Sequence, residues 1–197
     1  MRNRSTSSWV DAAQLRIRRE NFQVADLTRP VRLPKRFELA VSLEVAEHLP
    51  ESAAADFVES LVLASDLVLF SAGVPSQGGC NHLNEQWPEF WIDLFRKHGY
   101  SAHDCLRKKI WTNPSVSPWY AQNVFLFARD SRIDARLASA LNIKGEGLGQ
   151  IRVIHPRLFE DNMQLMTIRA DPVNLPFSTL LLSLPRKAYR AVKKRLR

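Results

Sequence analysis

Glycine is absent from residues 1–72 of this 197-residue chain, and all seven glycines lie at or after Gly73. A G-x-G-x-G turn, whose backbone needs positive φ angles and a close approach to its ligand, is therefore excluded from that part of the sequence. The chain has no run of about 20 apolar residues, and the polar residues at its start differ from a signal peptide. The sequence thus predicts neither a transmembrane helix nor a secretory leader.

Cysteine is also scarce. Cys80 and Cys105 form no C-x-x-C pair, and no Cys/His cluster has the spacing of a zinc site. We expect two free, reduced thiols and a cytoplasmic location. His82 and Glu85 share one loop but have no third ligand at suitable spacing, so the sequence predicts no metal site.

The net charge of +8 is carried by the two ends of the chain. Residues 186–197 hold seven basic groups and no acid, residues 1–20 add a net +3, and the residues between them sum to −2. A near-neutral body does not favour nucleic-acid binding along one face. The basic end leaves three interpretations open, which are contact with an anionic membrane surface, contact with an acidic partner, and a solvated tail.

The hydrophobic pattern predicts an α/β fold. Strands that alternate with helices favour a parallel sheet. The last two strands are joined only by a Pro-rich loop, which favours an antiparallel pair at the end of the sheet. The predicted elements are strands at 22–25 and 38–43, a helix at 50–64, a strand at 66–72, a helix at 86–98, and strands at 100–106 and 123–128.

Beyond residue 129 the pattern changes, which divides the chain into 1–129 and 130–197. Residues 131–141 have a helical pattern, and residues 150–175 are only weakly periodic. Residues 177–197 predict a basic amphipathic helix broken at Pro185.

Three stretches carry a family resemblance. The most specific stretch is FELAVSLEVAEHLP at 37–50. Two further stretches accompany it, which are FQVADL at 22–27 and DLVLFSAGVPSQGG at 66–79, the latter followed by HLNEQWPEFWIDLFRKHGY at 82–100. Together they resemble the class I (Rossmann-like) S-adenosylmethionine-dependent methyltransferases. The resemblance implies an incomplete Rossmann-like sheet, parallel with an antiparallel terminal pair and flanked by helices, to which a basic C-terminal helical tail is added.

The resemblance also implies a glycine-rich turn after the first strand of the domain, and this sequence has none. We expect that roughly the first 50–70 residues of such a domain are missing, judged by ordinary domain size. Two hypotheses follow. The chain transfers a methyl group from S-adenosylmethionine to a small-molecule acceptor, or it is a non-catalytic remnant or interaction module. A second copy or a partner chain would then cover the exposed sheet.

For the cofactor, the resemblance implies Asp26 and Leu27 beside the adenine and Glu44 near the cofactor or substrate amine. Asp26 is equally suited to a turn before Thr28. Glu44 is equally suited to an ion pair with Arg29 or Arg36.

The loop after Gly79 provides the candidate catalytic residues. His82 is the candidate base, with Glu85 beside it, because a base is needed only when the acceptor must lose a proton. The alternative is a polar surface loop held by its own side-chain hydrogen bonds.

His48 has the alternative role of packing on the helix and bonding a carbonyl. The candidate substrate-binding residues are Glu47, His48, Asn84 and Trp87. The aromatic residues that suit either an acceptor pocket or the core are Trp87, Phe90, Trp91, Trp111, Trp119 and Tyr120.

Overall fold

The computed structural model describes residues 16–141 and 150–170. The chain divides into two compact units, of which the first ends at His155 and the second begins at Pro156. The predicted boundary after residue 129 therefore falls inside the first unit. The predicted basic helix at 177–197, with the charged end at 186–197, lies outside the described residues.

Four strands form one mixed sheet in the order β1-β2-β4-β3. β1 and β2 are parallel, and their connection includes helix α1. β4 runs antiparallel to both of its neighbours, β2 and β3. The predicted antiparallel terminal pair is confirmed, and β4 lies between β2 and β3. The strands are β1 (Ala40–Leu43), β2 (Leu67–Ser71), β3 (Tyr100–His103) and β4 (Phe125–Arg129).

Six α-helices are found in the described residues. The predicted helices at 50–64 and 86–98 are confirmed as α1 and α2, and Gly99 adopts φ +73° just after α2, as a helix-ending glycine should. No helix in the described ranges is both long and apolar enough to cross a bilayer. The helices are α1 (Ala54–Ala64), α2 (Pro88–Arg96), α3 (Arg107–Ile110), α4 (Pro118–Asn123), α5 (Ala135–Leu141) and α6 (Pro156–Ala170).

Several local predictions are wrong. Residues 22–25 are irregular rather than a strand, and the loop expected between β3 and β4 contains the short helices α3 and α4.

The core lies where α1 and α2 pack on one face of the sheet. Phe95 of α2 stacks on Phe127 of β4 with ring centroids 3.9 Å apart, and Phe70 of β2 contacts both rings edge-on. Trp91 is 3% exposed and belongs to this core cluster, and it also lines the small hollow described below. Such aromatic packing fixes the positions of β2 and β4. It therefore also positions the loop that follows β2 and the segment that precedes β4.

The edge strand β1 differs from the core because apolar side chains in it and just before it are exposed to solvent. Among the described residues it pairs only with β2, and Val41 is 56% exposed although parallel strands are normally buried on both faces. Leu39 and Phe37, just before it, are also exposed. An open edge with apolar side chains is the arrangement that natural proteins normally cover with another strand, a helix or a second chain.

Candidate functional site

The candidate site lies where the parallel strands β1 and β2 end side by side. Glu44 follows β1 and holds the left-handed conformation at φ +52°, which is uncommon for a residue other than glycine. Its backbone N–H donates to the carbonyl oxygen of Ser71 at 3.0 Å and to the hydroxyl of Ser71 at 3.1 Å. Unusual backbone held by neighbouring contacts is a feature of functional sites.

The Glu44 carboxylate accepts hydrogen bonds from two amide side chains. The Gln77 amide nitrogen donates to Oε2 at 2.9 Å, and the Asn123 amide nitrogen lies 3.2 and 3.3 Å from the two oxygens. Asn123 also donates to Gln77 Oε1 at 2.8 Å, and Gln122 donates to Asn123 Oδ1 at 3.0 Å. Because Arg29 pairs with Asp26 and Arg36 with Asp66, the alternative ion pairs predicted for Glu44 are absent from the described residues.

Glu47 is the most unusual residue of the site. Its side chain is fully buried at 0% exposure, and neither carboxylate oxygen has a hydrogen-bond partner of normal geometry in the described part of the chain. Burial, and secondarily the nearby Glu44 carboxylate, raise the pKa of Glu47 to about 8. Glu47 therefore holds its proton near neutral pH, unless a cation binds beside it.

His82 and Glu85 form a hydrogen-bonded pair, as the sequence analysis expects of a base and its neighbour. Nδ1 of His82 lies 2.8 Å from Glu85 Oε1, and the two side chains are 12% and 19% exposed. The same carboxylate accepts the backbone N–H groups of Ser76 and Gly78, each at 2.8 Å. Since the carboxylate can only accept, Nδ1 carries the proton of this hydrogen bond, and in the neutral ring the lone pair is then on Nε2.

Two glycines make room for the His82 ring. A Cβ added at Gly73 would lie 3.3 Å from the ring, and one added at Gly79 would lie only 2.3 Å from Nε2. Gly79 also has φ +156°, a conformation that other residues rarely adopt. The glycine-bearing loop therefore positions the histidine, a role that the sequence analysis does not assign to it.

His48 lies beside His82 although the two are far apart in sequence. Their ring centroids are 4.9 Å apart and nearly perpendicular. Nδ1 of His48 lies 3.3 Å from the carbonyl oxygen of Asn81, so the predicted bond to a carbonyl is present. The backbone N–H groups of Leu83 and Asn84 donate to the Glu47 carbonyl at 2.8 and 3.0 Å, which ties the two segments together.

Asn84 and Trp87, the other two candidate substrate-binding residues, follow His82 in the same loop. Asn84 is 3% exposed and accepts a hydrogen bond from Gln86 at 2.9 Å, so it helps to shape the loop. Trp87 is half-buried, with the Arg152 guanidinium 5.2 Å from its ring centroid. Both residues lie next to the site without a side-chain contact to Glu47 or His82 among the described hydrogen bonds.

Asp26 forms a turn, which is one of its two expected roles. Its Oδ1 accepts the backbone N–H of Thr28 at 3.0 Å and the hydroxyl of Thr28 at 2.6 Å. These hydrogen bonds lower the pKa of Asp26, whose side chain is exposed. Leu27 packs against the edge of the core. Oδ2 of Asp26 forms an exposed ion pair with Arg29 at 3.8 Å.

A small hollow, open to solvent, lies next to these residues, and it has room for little more than one water molecule. Asn123 belongs both to the lining and to the amide network, so the hollow adjoins Glu44. The lining residues are Phe70, Ala72, Gln86, Pro88, Trp91, Asn123, Phe125 and Phe127.

The sequence analysis misses Gln122 and Asn123 as site residues. They are buried polar side chains immediately before an apolar strand, and that position is the signal that could have revealed them.

Both predicted free thiols are confirmed. A comparison of the chain with protein-family models, curated proteins and solved structures finds no match.

Proposed function

We propose that this chain provides the acceptor side of an S-adenosylmethionine-dependent methyltransferase site, acting on a small molecule with a hydroxyl or amine group. The observation that carries the proposal is the convergence of Glu44, Glu47, His48 and the His82–Glu85 pair at the carboxyl ends of two adjacent parallel strands. In open α/β sheets this edge is where ligands bind.

The arrangement of the sheet supports the proposal. β1 and β2 are parallel with α1 between them in sequence, and β3 and β4 form the antiparallel terminal pair that the family resemblance implies. The sheet lacks, among the described residues, any strand on the far side of β1. That is the side on which the remaining strands of a Rossmann-like sheet would lie.

The described residues fit one end of S-adenosylmethionine. The exposed Asp26 carboxylate, whose Oδ2 lies 3.8 Å from Arg29, suits the adenine amino group, and Leu27, half-buried beside it, suits the ring. The Glu44 carboxylate suits a cationic or hydroxyl-bearing part of the cofactor. The methionine end lacks its usual support, because no glycine precedes Gly73.

The bound cofactor would supply a methyl group on a sulfonium sulfur, which is a strong electrophile. The chain's own contribution is then alignment and proton removal. Nε2 of His82 accepts the proton of the acceptor hydroxyl or amine, and the Glu85 carboxylate stabilises the imidazolium through Nδ1. The amide groups of Gln77 and Asn123 hold the Glu44 carboxylate in one position.

Calorimetric titration and thermal shift with S-adenosylmethionine and S-adenosylhomocysteine test the proposal. We expect saturable heat that is weakened at least tenfold by Glu44→Gln, whereas Glu51→Gln, at an exposed glutamate, changes little. No heat and no thermal shift at millimolar cofactor would contradict it. His82→Ala should leave cofactor binding unchanged, because the proposal places His82 on the acceptor side.

A second candidate function is an interaction module whose sheet is completed by a second copy of the chain. The open edge of β1, with Val41 at 56% exposure, favours it. Sedimentation velocity tests this candidate. We expect a dimer at micromolar concentration that Val41→Lys dissociates, and a monomer at all concentrations would contradict completion by a second copy.

A further inference from the structure

Methyl transfer does not explain why the Glu47 carboxyl group is fully buried, with the Glu44 carboxyl and the Gly73 backbone as polar neighbours but no hydrogen bond of normal geometry among the described residues. A buried carboxylate is normally hydrogen-bonded, paired with a cation or bound to a metal. An unpartnered one therefore points to a missing cation or to a held proton.

Two histidines lie next to this carboxylate. One ligand atom each from Glu47, His48 and His82 lies within 4.8 Å of the other two. The donor atoms of a tetrahedral zinc site, each about 2.0–2.2 Å from the ion, are about 3.3–3.6 Å apart. Closing the difference requires a movement of roughly 1 Å, and His48 lies in an exposed position.

The hydrogen bonds around the histidines favour metal binding. Nδ1 of His82 donates to the Glu85 carboxylate at 2.8 Å, and Nδ1 of His48 lies 3.3 Å from the Asn81 carbonyl. Metal-bound histidines typically donate their other ring N–H to a carboxylate or a backbone carbonyl. Both rings therefore present Nε2 with its lone pair, the form that a metal ion requires.

The backbone holds the three ligands together before any ion binds. The Glu47 carbonyl accepts the N–H groups of Leu83 and Asn84 at 2.8 and 3.0 Å, which fixes the turn of residues 46–48 against the loop that carries His82. Glu85 is itself held by the backbone N–H groups of Ser76 and Gly78. Little ordering of the chain is then required on metal binding.

We propose that Glu47, His48 and His82 bind one first-row divalent transition metal ion. Two imidazoles and one carboxylate suit Zn²⁺, Co²⁺, Fe²⁺ or Mn²⁺, and three protein ligands leave coordination positions open for an exogenous oxygen. The inference goes beyond the proposed function, because the ligands are complete without S-adenosylmethionine. Where both hold, an acceptor hydroxyl bound to the ion is acidified by the metal, and Nε2 of His82 is a ligand and not the base.

The expectation of no metal site, made from the sequence, rests on the lack of a third ligand near His82 and Glu85. The fold supplies Glu47 and His48 from the turn after β1, and it moves Glu85 to the position behind His82. Sequence spacing alone does not show ligands that come from two segments.

Calorimetric titration of the full chain, stripped with EDTA, with ZnCl₂ tests the proposal. We expect one site with micromolar or tighter affinity, which Glu47→Gln and His82→Ala each weaken at least 100-fold. Glu85→Gln should weaken it about 10- to 100-fold, as is typical for the partner of a metal-bound histidine. Glu51→Gln and His98→Ala, at exposed residues, serve as matched controls and should have no effect.

Cobalt(II) provides a second readout. Visible d–d absorption of the Co²⁺ form should appear at one equivalent and disappear in Glu47→Gln, a variant of nearly unchanged shape that should keep the far-ultraviolet circular dichroism of the original chain. No binding would overturn the proposal. Binding that survives Glu47→Gln and His82→Ala would show an adventitious ion only. Titration of the metal-free chain with S-adenosylhomocysteine tests the proposed function separately.

Discussion

The pKa of Glu47, about 8, makes the stability of the fold depend on pH in a direction opposite to that of most carboxylates. Burial and then the Glu44 carboxylate favour the protonated form in the folded chain. In the unfolded chain Glu47 has its ordinary pKa of 4.5 and ionises freely. The free energy of unfolding should therefore lose this contribution progressively between pH 4.5 and pH 8, and level off above that.

The magnitude follows from the two pKa values. A pKa raised from 4.5 to about 8 corresponds, at about 1.36 kcal/mol for each pH unit, to at most about 5 kcal/mol at pH 9. Relaxation and water entry around the buried carboxylate reduce this, so we expect about 2–5 kcal/mol. Glu47→Gln keeps the shape and removes the ionisation. The variant should be similar in stability at pH 4.5 and more stable by this amount at pH 9.

Urea denaturation followed by circular dichroism at pH 4.5, 6, 7.5 and 9, in EDTA, measures the effect. Glu51→Gln is the matched control, because Glu51 is exposed and its substitution should leave the pH profile unchanged. Parallel profiles for the original chain and Glu47→Gln would refute the reasoning. They would mean that Glu47 is hydrated or paired in solution.

Two other substitutions test the packing around the site. Gly79→Ala should displace the His82 ring, because the added Cβ would lie 2.3 Å from Nε2, and ¹⁵N-resolved imidazole spectra should lose the Nδ1–H signal of the His82–Glu85 bond. Ser52→Ala, at an exposed residue outside this loop, is the control and should retain that signal. Tyr100→Phe should lower the free energy of unfolding, measured by urea denaturation, by about 1–2 kcal/mol, because the buried hydroxyl donates to the Ser65 carbonyl at 2.7 Å. An unchanged free energy of unfolding would show that water replaces this hydrogen bond.

The main sheet and its two long helices could be predicted because their hydrophobic patterns are strong. Local sequence is nearly sufficient to specify three of the strands and the ends of α2. The signals are the apolar runs at 38–43, 66–72 and 123–128 and the Pro and Gly residues that bound α2. The pattern fails at residues 22–25. An apolar run alone does not show whether a neighbouring strand is there to pair with it.

The site was harder to predict because its residues come from distant segments. The sequence indicates each candidate residue separately, and these are Glu44, Glu47, His48, His82 and Glu85. No spacing rule predicts that the ring centroids of His48 and His82 lie 4.9 Å apart, or that the Glu47 carboxyl oxygens lack hydrogen bonds of normal geometry among the described residues. These contacts depend on the parallel register of β1 and β2 and on the path of the loop after β2. The positive φ of Glu44 likewise results from tertiary contacts and not from local preference.

The most direct test of the account follows backbone amide chemical shifts of the ¹⁵N-labelled chain during titration with S-adenosylhomocysteine. The account predicts saturable changes that concentrate at residues 26–27, at 44–48 and in the loop at 71–86. Changes absent at millimolar ligand, or centred on α6, would contradict the claim that the carboxyl ends of β1 and β2 form the ligand-binding edge.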